Sequence, residues 1–255
     1  MNPNITPVQC SIREYQAEDK DAVISLFRNG ILEHVYPAFF KTISHPDQIG
    51  VTLSISMAGY VLGGSSYFMA LLFGGAWAGL IYYCCYEIYE GYRLGRMATD
   101  MADIQASFLD NPDNGFWVAK AEVNGKSKVA GLVAVVGRRG GDERGDGWNG
   151  GLLSGVDEIG QDERDGSYGE VPHLIVSFAY RKKGLGSQLA HKVMEFCKDR
   201  GFSRVVLETS SPQTAANALY SKLGFIQTSC HSNTHVNHWF SKLANIQVMH
   251  MEKYI

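Results

Sequence analysis

The stretch "YRKKGLGSQLA", Tyr180 to Ala190, places three consecutive cations directly before Gly-Leu-Gly and then enters an amphipathic pattern. Glycines at this spacing let the backbone turn tightly and approach a ligand closely. A helix starting behind them aims free N–H groups and the positive end of its dipole into the turn. That arrangement suits an anion, most often a phosphate. The same residues also serve a plain tight turn with solvated cations, so the neighbours decide. Before the turn, "VPHLIVSFAY" (171–180) reads as a buried strand. After it, Leu185, Leu189, Val193 and Phe196 share one helical face, with Gly201 as the C-cap. "FSRVVLETS" (202–210) is a second buried strand, and "SPQTAANALYSKLGF" (211–225) a short helix ended at Gly224.

Working outward, "QCSIREYQ" (9–16) alternates as a strand. "AEDKDAVISLFRNGILEHV" (17–35) carries Val23, Ile24, Phe27, Ile31 and Val35 at helical spacing, with acids at its start. "GRMATDMADIQASFLDNPDNG" (95–115) reads as one further helix ended by a turn cluster. "FWVAKAEV" and "KVAGLVAVVG" around Asn124-Gly125 form a hairpin pattern, and "FIQTSC" and "NIQVMHMEKYI" close the chain as strands. The order is an α/β layer with a mixed sheet, its first strands antiparallel and its later ones joined through a helical crossover. Residues 138–170, dense in glycine and acid, read as a flexible surface loop; "DERGDG" (142–147) nearly recurs as "DERDGS" (162–167).

At 255 residues the chain is one large domain or a domain plus an appendage, and its net charge of −3 argues against nucleic-acid binding. The cysteines (Cys10, Cys84, Cys85, Cys197, Cys230) form no C-x-x-C pair, so neither a zinc ribbon nor a disulfide framework is expected. No apolar stretch follows a basic start, so no secretory signal is expected. Cys230, His231, His235 and His238 cluster, but at a spacing that matches no common metal site.

One segment breaks the soluble pattern. Residues 48–86 carry no charged side chain, and Gly63-Gly64-Ser65-Ser66 lies near their middle. A spanning helix needs about 20 apolar residues, so the run is long for one span and barely enough for two. A buried core hairpin is the alternative to membrane contact. The division expected is 1–46 for the first strand and helix, 47–88 for a membrane-associated apolar hairpin, and 89–255 for the remainder of the main domain.

Together, "IVSFAYRKKGLGSQLA" (175–190), "VVLETS" (205–210) and "ALYSKLGF" (218–225) resemble the GNAT superfamily of N-acetyltransferases. Their acyl-CoA motif, Arg/Gln-x-x-Gly-x-Gly/Ala, reads here Arg181-Lys182-Lys183-Gly184-Leu185-Gly186. "TDMADI" (99–104), "FWVA" (116–119) and the apolar segment resemble, more narrowly, the membrane-associated camello-like members, which include cysteine S-conjugate and aspartate N-acetyltransferases. The resemblance implies an endoplasmic-reticulum membrane enzyme with acetyl-CoA as donor and a small-molecule amine as acceptor; a protein lysine acceptor and a scaffold that binds acyl-CoA without turnover are the alternatives. It implies a pyrophosphate site on the backbone of Lys182 to Gly186 with Ser187 starting the helix behind. It implies a pantetheine arm alongside Leu174, Ile175 and Val176, and Tyr220 as the acid that protonates the leaving thiolate. The family often has Asn seven positions before that tyrosine; here the residue is Gln213.

Acetyl transfer to an amine needs a base, an oxyanion donor and an acid for the thiolate, and none of these requires a metal. The base is open between Glu208, at the end of one buried strand, His173, at the start of its neighbour, and a water chain. Either side chain, like Tyr220, also reads as a packed or hydrogen-bonded structural residue. If "SIREYQ" belongs to the same sheet as residues 97–255, both flanks of the apolar segment lie on one side of a membrane. The segment then crosses twice or not at all. The flanking charges do not set orientation; the need for acetyl-CoA places the catalytic face in the cytosol.

Overall fold

The structure, a computed structural model, describes residues 10–123, 125–139 and 166–255. Most of the acidic glycine-rich segment, including its near-repeat, lies outside the described residues. In chain order the elements are β1 (Cys10–Glu14), α1 (Lys20–Leu32), α2 (Val35–Ile43), α3 (Pro46–Leu62), α4 (Tyr67–Ala98), α5 (Ile104–Phe108), β2 (Gly115–Val123), β3 (Lys126–Arg138), β4 (Tyr168–Val176), α6 (Leu185–Asp199), β5 (Arg204–Ser210), α7 (Thr214–Lys222), β6 (Ile226–His231), α8 (His238–Ala244) and β7 (Val248–Tyr254). The expected α/β class with a mixed sheet and an inserted apolar hairpin stands. Three details differ. Separate short helices α2 and α8 appear, and the expected helix over 95–115 is broken. Its first residues finish α4, and the backbone reopens before Asp103 caps α5 through its side chain to the Ala106 N–H at 3.1 Å.

The strands form one seven-stranded sheet in the order β1-β2-β3-β4-β5-β7-β6, parallel only between β4 and β5. One face is covered by α1, the C-terminal part of α4, α5 and α8; its core includes Phe27, Ile88, Tyr89, Phe108, Phe116, Leu132 and Ile246. The other is covered by α6 and α7, over Trp117, Val133, Leu189, Val205, Leu207 and Phe225. Asp19, buried at the entry to α1, accepts from Arg13 on β1 at 2.8 Å and from Lys120 on β2 at 2.9 Å. Burial raises its pKa, but those two cations and the Gln16 N–H outweigh burial and hold the carboxyl below its ordinary range.

β1 pairs with β2 from Cys10↔Ala121 to Glu14↔Trp117, and everything between them in sequence leaves the sheet and returns. Helices α3 and α4 are an antiparallel hairpin turned at Gly63–Ser66, so the chain enters and leaves it on the same side. Their contact is made by small residues: a Cβ on Gly59 would lie 2.7 Å from the Met69 carbonyl oxygen, and Gly74 sits against Ser56. The outer surface is apolar and exposed, with Leu53, Met57, Val61, Leu62, Phe68, Leu71 and Leu72 facing away from the protein. By length and composition α4 is apolar enough to cross a membrane, and the 17 residues of α3 extend about 25 Å. From Ile81 the same helix packs against the core and continues to Ala98, so the apolar hairpin and the core share one continuous helix.

Removal of the Asp19 carboxylate leaves two cations without their shared acceptor. Asp19→Ala is expected to cost about 3 kcal/mol at neutral pH, measured by denaturant unfolding. Because the folded pKa is depressed, this contribution is present above the ordinary carboxylate pKa. The gap between parent and variant should close as pH falls through the depressed value.

Candidate active site

The site is built where β4 leaves β5. Pairing of the two strands runs from Tyr168↔Arg204 to Val171↔Leu207 and stops there, although β4 continues to Val176 and β5 to Ser210. The cause is local. Against β3, Ala134 pairs with His173 but Val136 pairs with Glu170, so Val171 and Pro172 together oppose one residue, a β-bulge that bends the strand. Past the bulge, the Ser177 N–H donates to the Ala130 carbonyl at 2.9 Å, and alternation then turns the main chains of Ile175 and His173 toward β3. Those of Pro172, Leu174 and Val176 turn toward β5. Proline has no N–H to offer there. Of the three β4 residues expected to line a ligand, Leu174 and Val176 therefore turn their main chains toward the gap, the Val176 carbonyl already accepting from Arg181, while the Ile175 main chain is committed to β3 and its side chain to the α1 face.

The glycine turn closes the same gap. Lys182 (φ 58°) and Gly184 (φ 80°) are both left-handed, a geometry that turns successive N–H groups inward. Gly184 caps α6 without a side-chain acceptor, so the first-turn N–H groups of Leu185, Gly186 and Ser187 are free for a ligand. A Cβ on Gly186 would lie 3.1 Å from Leu219 and 3.7 Å from Val176; this glycine is where α6, α7 and β4 meet. The three cations divide. Arg181 donates through Nε to the Val176 carbonyl at 2.9 Å and pairs with Glu33 at the α1–α2 corner, which ties the turn to the scaffold. Lys183 donates to the Ala179 carbonyl at 3.3 Å and lies over the Tyr180 ring. Lys182 makes no hydrogen bond or ion pair among the described residues. Burial and the Arg181 charge push the nearby His34 down to about 4, so it stays neutral at the corner.

On the α6–α7 side, Tyr220 is 6% exposed, its ring packs against Phe225 at 5.7 Å, and burial pushes its pKa well up. Gln213 is the residue before α7, and the single Thr209 hydroxyl proton is shared between the Asn217 and Gln213 side-chain oxygens, at 2.8 and 3.2 Å. On the opposite face, the two candidate bases stand on the two banks of the gap. His173 is almost wholly buried against Phe27 and Phe108, and its Nε2 is 2.7 Å from Asp100. Glu208, the first β5 residue past the last β4 pair, is partly open, and its carboxylate is 3.9 Å from His250 Nδ1 on β7. Burial raises the Glu208 pKa, but the neighbouring His250 imidazole and the charges of His231 and Arg96 outweigh it and leave it below the ordinary value. Asp100 is likewise raised by burial and lowered further by His173 and Arg96, whose guanidinium is 3.6 Å away. Sequence reasoning did not find Asp100, Arg96 or His250. Only Asp100 carried a signal, inside the "TDMADI" run.

The Acetyltransferase (GNAT) family model matches residues 81–225, more than half of the chain. The chain belongs to the GNAT acetyltransferase family. It is 29% identical to human N-acetyltransferase 8 over 86% of this chain and 85% of that protein. It is 30% identical to N-acetyltransferase family 8 member 3 of Mus musculus over 85% and 84%, and 30% identical to the probable N-acetyltransferase camello of Xenopus tropicalis over 84% and 85%. A crystal structure of a GNAT-family acetyltransferase from Staphylococcus aureus Mu50 superposes with a TM-score of 0.50 at 15% identity, covering 96% of this chain and 99% of that one. The protein is thus a camello-like GNAT N-acetyltransferase, and the family's donor is acetyl-CoA. The parted strands and the glycine turn fit that donor: a free strand edge for an amide-bearing arm, and inward N–H groups for a pyrophosphate. Gly186→Val should weaken acetyl-CoA binding about tenfold or more by titration calorimetry, an effect of about 1.4 kcal/mol, because a branched side chain has no room between Leu219 and Val176.

Proposed function

We propose that this enzyme acetylates the primary amine of a small molecule, a cysteine S-conjugate or amino acid, by direct attack on acetyl-CoA within a ternary complex. The observation that carries this reading is the gap itself. It opens donor-binding groups on the α6 side and a base on the α4 side of one sheet, so the two substrates meet through the sheet. Acetyl-CoA bound there supplies the activated acetyl group. Leu174 and Val176 align the arm through main-chain groups, and a β4 N–H bonds the acetyl carbonyl oxygen as it gains charge. The turn from Lys182 to Ser187 holds the pyrophosphate.

Tyr220 keeps its proton across neutral pH because of its burial, and it supplies that proton to the sulfur as the C–S bond breaks. Glu208 takes the proton from the amine nitrogen as the C–N bond forms. It suits the base role better than His173, whose Nε2 is already held by Asp100 and whose ring has almost no open surface. The N-acetyltransferase 8 relatives support transfer to an amine nitrogen, and the resemblance of "TDMADI" and "FWVA" to camello-like members suggests the small-molecule acceptor. Its test follows CoA thiol release with S-benzyl-cysteine, aspartate, glutamate, polyamines and a lysine peptide. Turnover confined to the peptide replaces the small-molecule reading with lysine acetylation. Tyr220→Phe is expected to lower kcat about 10²-fold with acetyl-CoA affinity unchanged.

The same proposal places the α3–α4 hairpin in the endoplasmic-reticulum bilayer with lipid as its partner and the catalytic domain in the cytosol. Its exposed leucine, methionine and aromatic surface supports this, as does its out-and-back path between β1 and β2. Tags at the two termini should be equally accessible to protease in sealed microsomes. Protection of one tag alone would mean that the hairpin crosses once and that the sheet pairing is wrong.

A further inference from the structure

The face of the gap that holds Glu208 carries more ionisable groups than proton abstraction needs, and they come from different elements. Glu208 lies on β5, directly paired in register with His250 on β7. β7 in turn pairs with β6, the outermost strand, where His231 is exposed and close enough for its charge to act on Glu208. From above, α4 turns Tyr92 and Arg96 toward this region, followed by Asp100, and Arg96 acts electrostatically on both Glu208 and Asp100. On β4, His173 faces the cluster from the other bank. The two halves differ in arrangement. His173, Asp100 and Arg96 form one contiguous set around a 2.7 Å contact, with the His173 side chain 1% exposed. Glu208, His250 and His231 follow one another across the strands toward the sheet edge. The Glu208 side chain is 29% exposed at the gap, His250 between them is 13% exposed, and every residue of β6 is exposed.

We propose that Glu208 does not release the amine proton directly to water inside the ternary complex but passes it to His250, which releases it at the β6 edge beside His231. The inference rests on Glu208 as base. The need for it is steric and electrostatic. While acceptor and donor fill the gap, the open side of Glu208 is covered, and a carboxylic acid that keeps its proton cannot serve the next turnover. The transfer balances simply. The amine N–H bond breaks as the C–N bond forms, and Glu208 Oε becomes protonated. That O–H then breaks in favour of His250 Nδ1. The imidazolium loses its Nε2 proton to water, and exchange with solvent restores the starting tautomer. Imidazole suits the step because its two nitrogens can accept on one side and donate on the other. The 3.9 Å separation is of the kind that tightens when substrates bind. In this arrangement Asp100 fixes the His173 ring and Arg96 balances the two carboxylates; neither lies on the proton's route.

The experiment uses the full chain in detergent or vesicles, with the best amine of the acceptor panel. It compares Glu208→Gln, His250→Gln, His250→Ala and His231→Gln by kcat/KM against pH, with acetyl-CoA binding measured separately. His250→Gln is expected to lower kcat about 10²-fold, to leave acetyl-CoA affinity unchanged and to shift the pH profile. Added imidazole should restore His250→Ala at least in part, with rates that follow the basicity of substituted imidazoles, a response that a purely structural residue does not give. His231→Gln should matter only at low buffer concentration, where solvent carriers of the proton are scarce. Parent-like kcat and pH profile in His250→Gln overturns the relay. So does a loss of rate that keeps the parent pH profile and answers to no imidazole. If Glu208→Gln itself retains parent activity, the base assignment fails first; if it is inactive while His250→Gln is active, the base stands and only the relay falls.

Discussion

The bulge at Val171–Pro172 is the constraint on which the rest of the site depends. A parallel pair of central strands is ordinarily buried and continuous, because each unpaired main-chain group inside a protein costs free energy comparable to a lost hydrogen bond. Here two residues oppose one on β3, and the residue that would donate next to β5 is a proline. β4 therefore bends away, and the main-chain groups of Leu174 and Val176 are left without a strand partner. A ligand with its own amides can complete that edge. The opening also passes through the sheet, which allows the donor and the acceptor to approach from opposite faces. The glycine turn adds to this opening without creating it: Gly186 fits because it must lie between Val176 and Leu219.

A second constraint concerns α4. The helix carries exposed leucines and aromatics near Tyr67 and buried Ile81, Cys84, Cys85, Ile88 and Tyr89 further along. It then ends just before Asp100, over the gap, with the Tyr89 hydroxyl 3.0 Å from Ser210 at the end of β5. Lys41 of α2 donates to the next carbonyl, Ser211, at 3.0 Å. The hairpin is therefore continuous with the roof over that face of the gap. The helix runs without interruption from the apolar half to Ala98, so Arg96 lies on the same element as the hairpin.

The sequence made the periodic parts legible. The buried strands, the α6 face, the glycine turn and the out-and-back path of the apolar run all follow from spacing of 2 or 3.6 and from where charge is missing. What it did not make legible are matters of register and of residues brought together from afar. Nothing local in "VPHLIVSFAY" says that pairing to β5 stops at Val171, because both partner strands look equally apolar on either side of that point. Ile175 was expected at the ligand with its neighbours; only the hydrogen bond of Ser177 to Ala130 fixes which residues face β3. The helix expected over 95–115 breaks because Asp103 competes for backbone N–H groups as a cap, and that break is what frees Asp100 to reach His173.

That pairing bears on the question left open between two candidate bases. Considered alone, a histidine beside a conspicuous gap is the more attractive choice, since its ordinary pKa lies nearer neutrality than a carboxylate's. The surroundings reverse the preference. His173 is enclosed by Phe27 and Phe108, and its Nε2 is held by a carboxylate that Arg96 also engages; a proton added there would have no path outward. Glu208 is a weaker base in the abstract, and its neighbours depress it further. Yet it stands at the opening, and two of the groups that depress it are imidazoles, able to carry a proton away. A base that must act in every turnover is limited by the return of its own free form as well as by its strength. The strand order β5-β7-β6 places two imidazoles beyond that carboxylate toward the sheet edge, whereas the His173 ring is closed in by two phenylalanines.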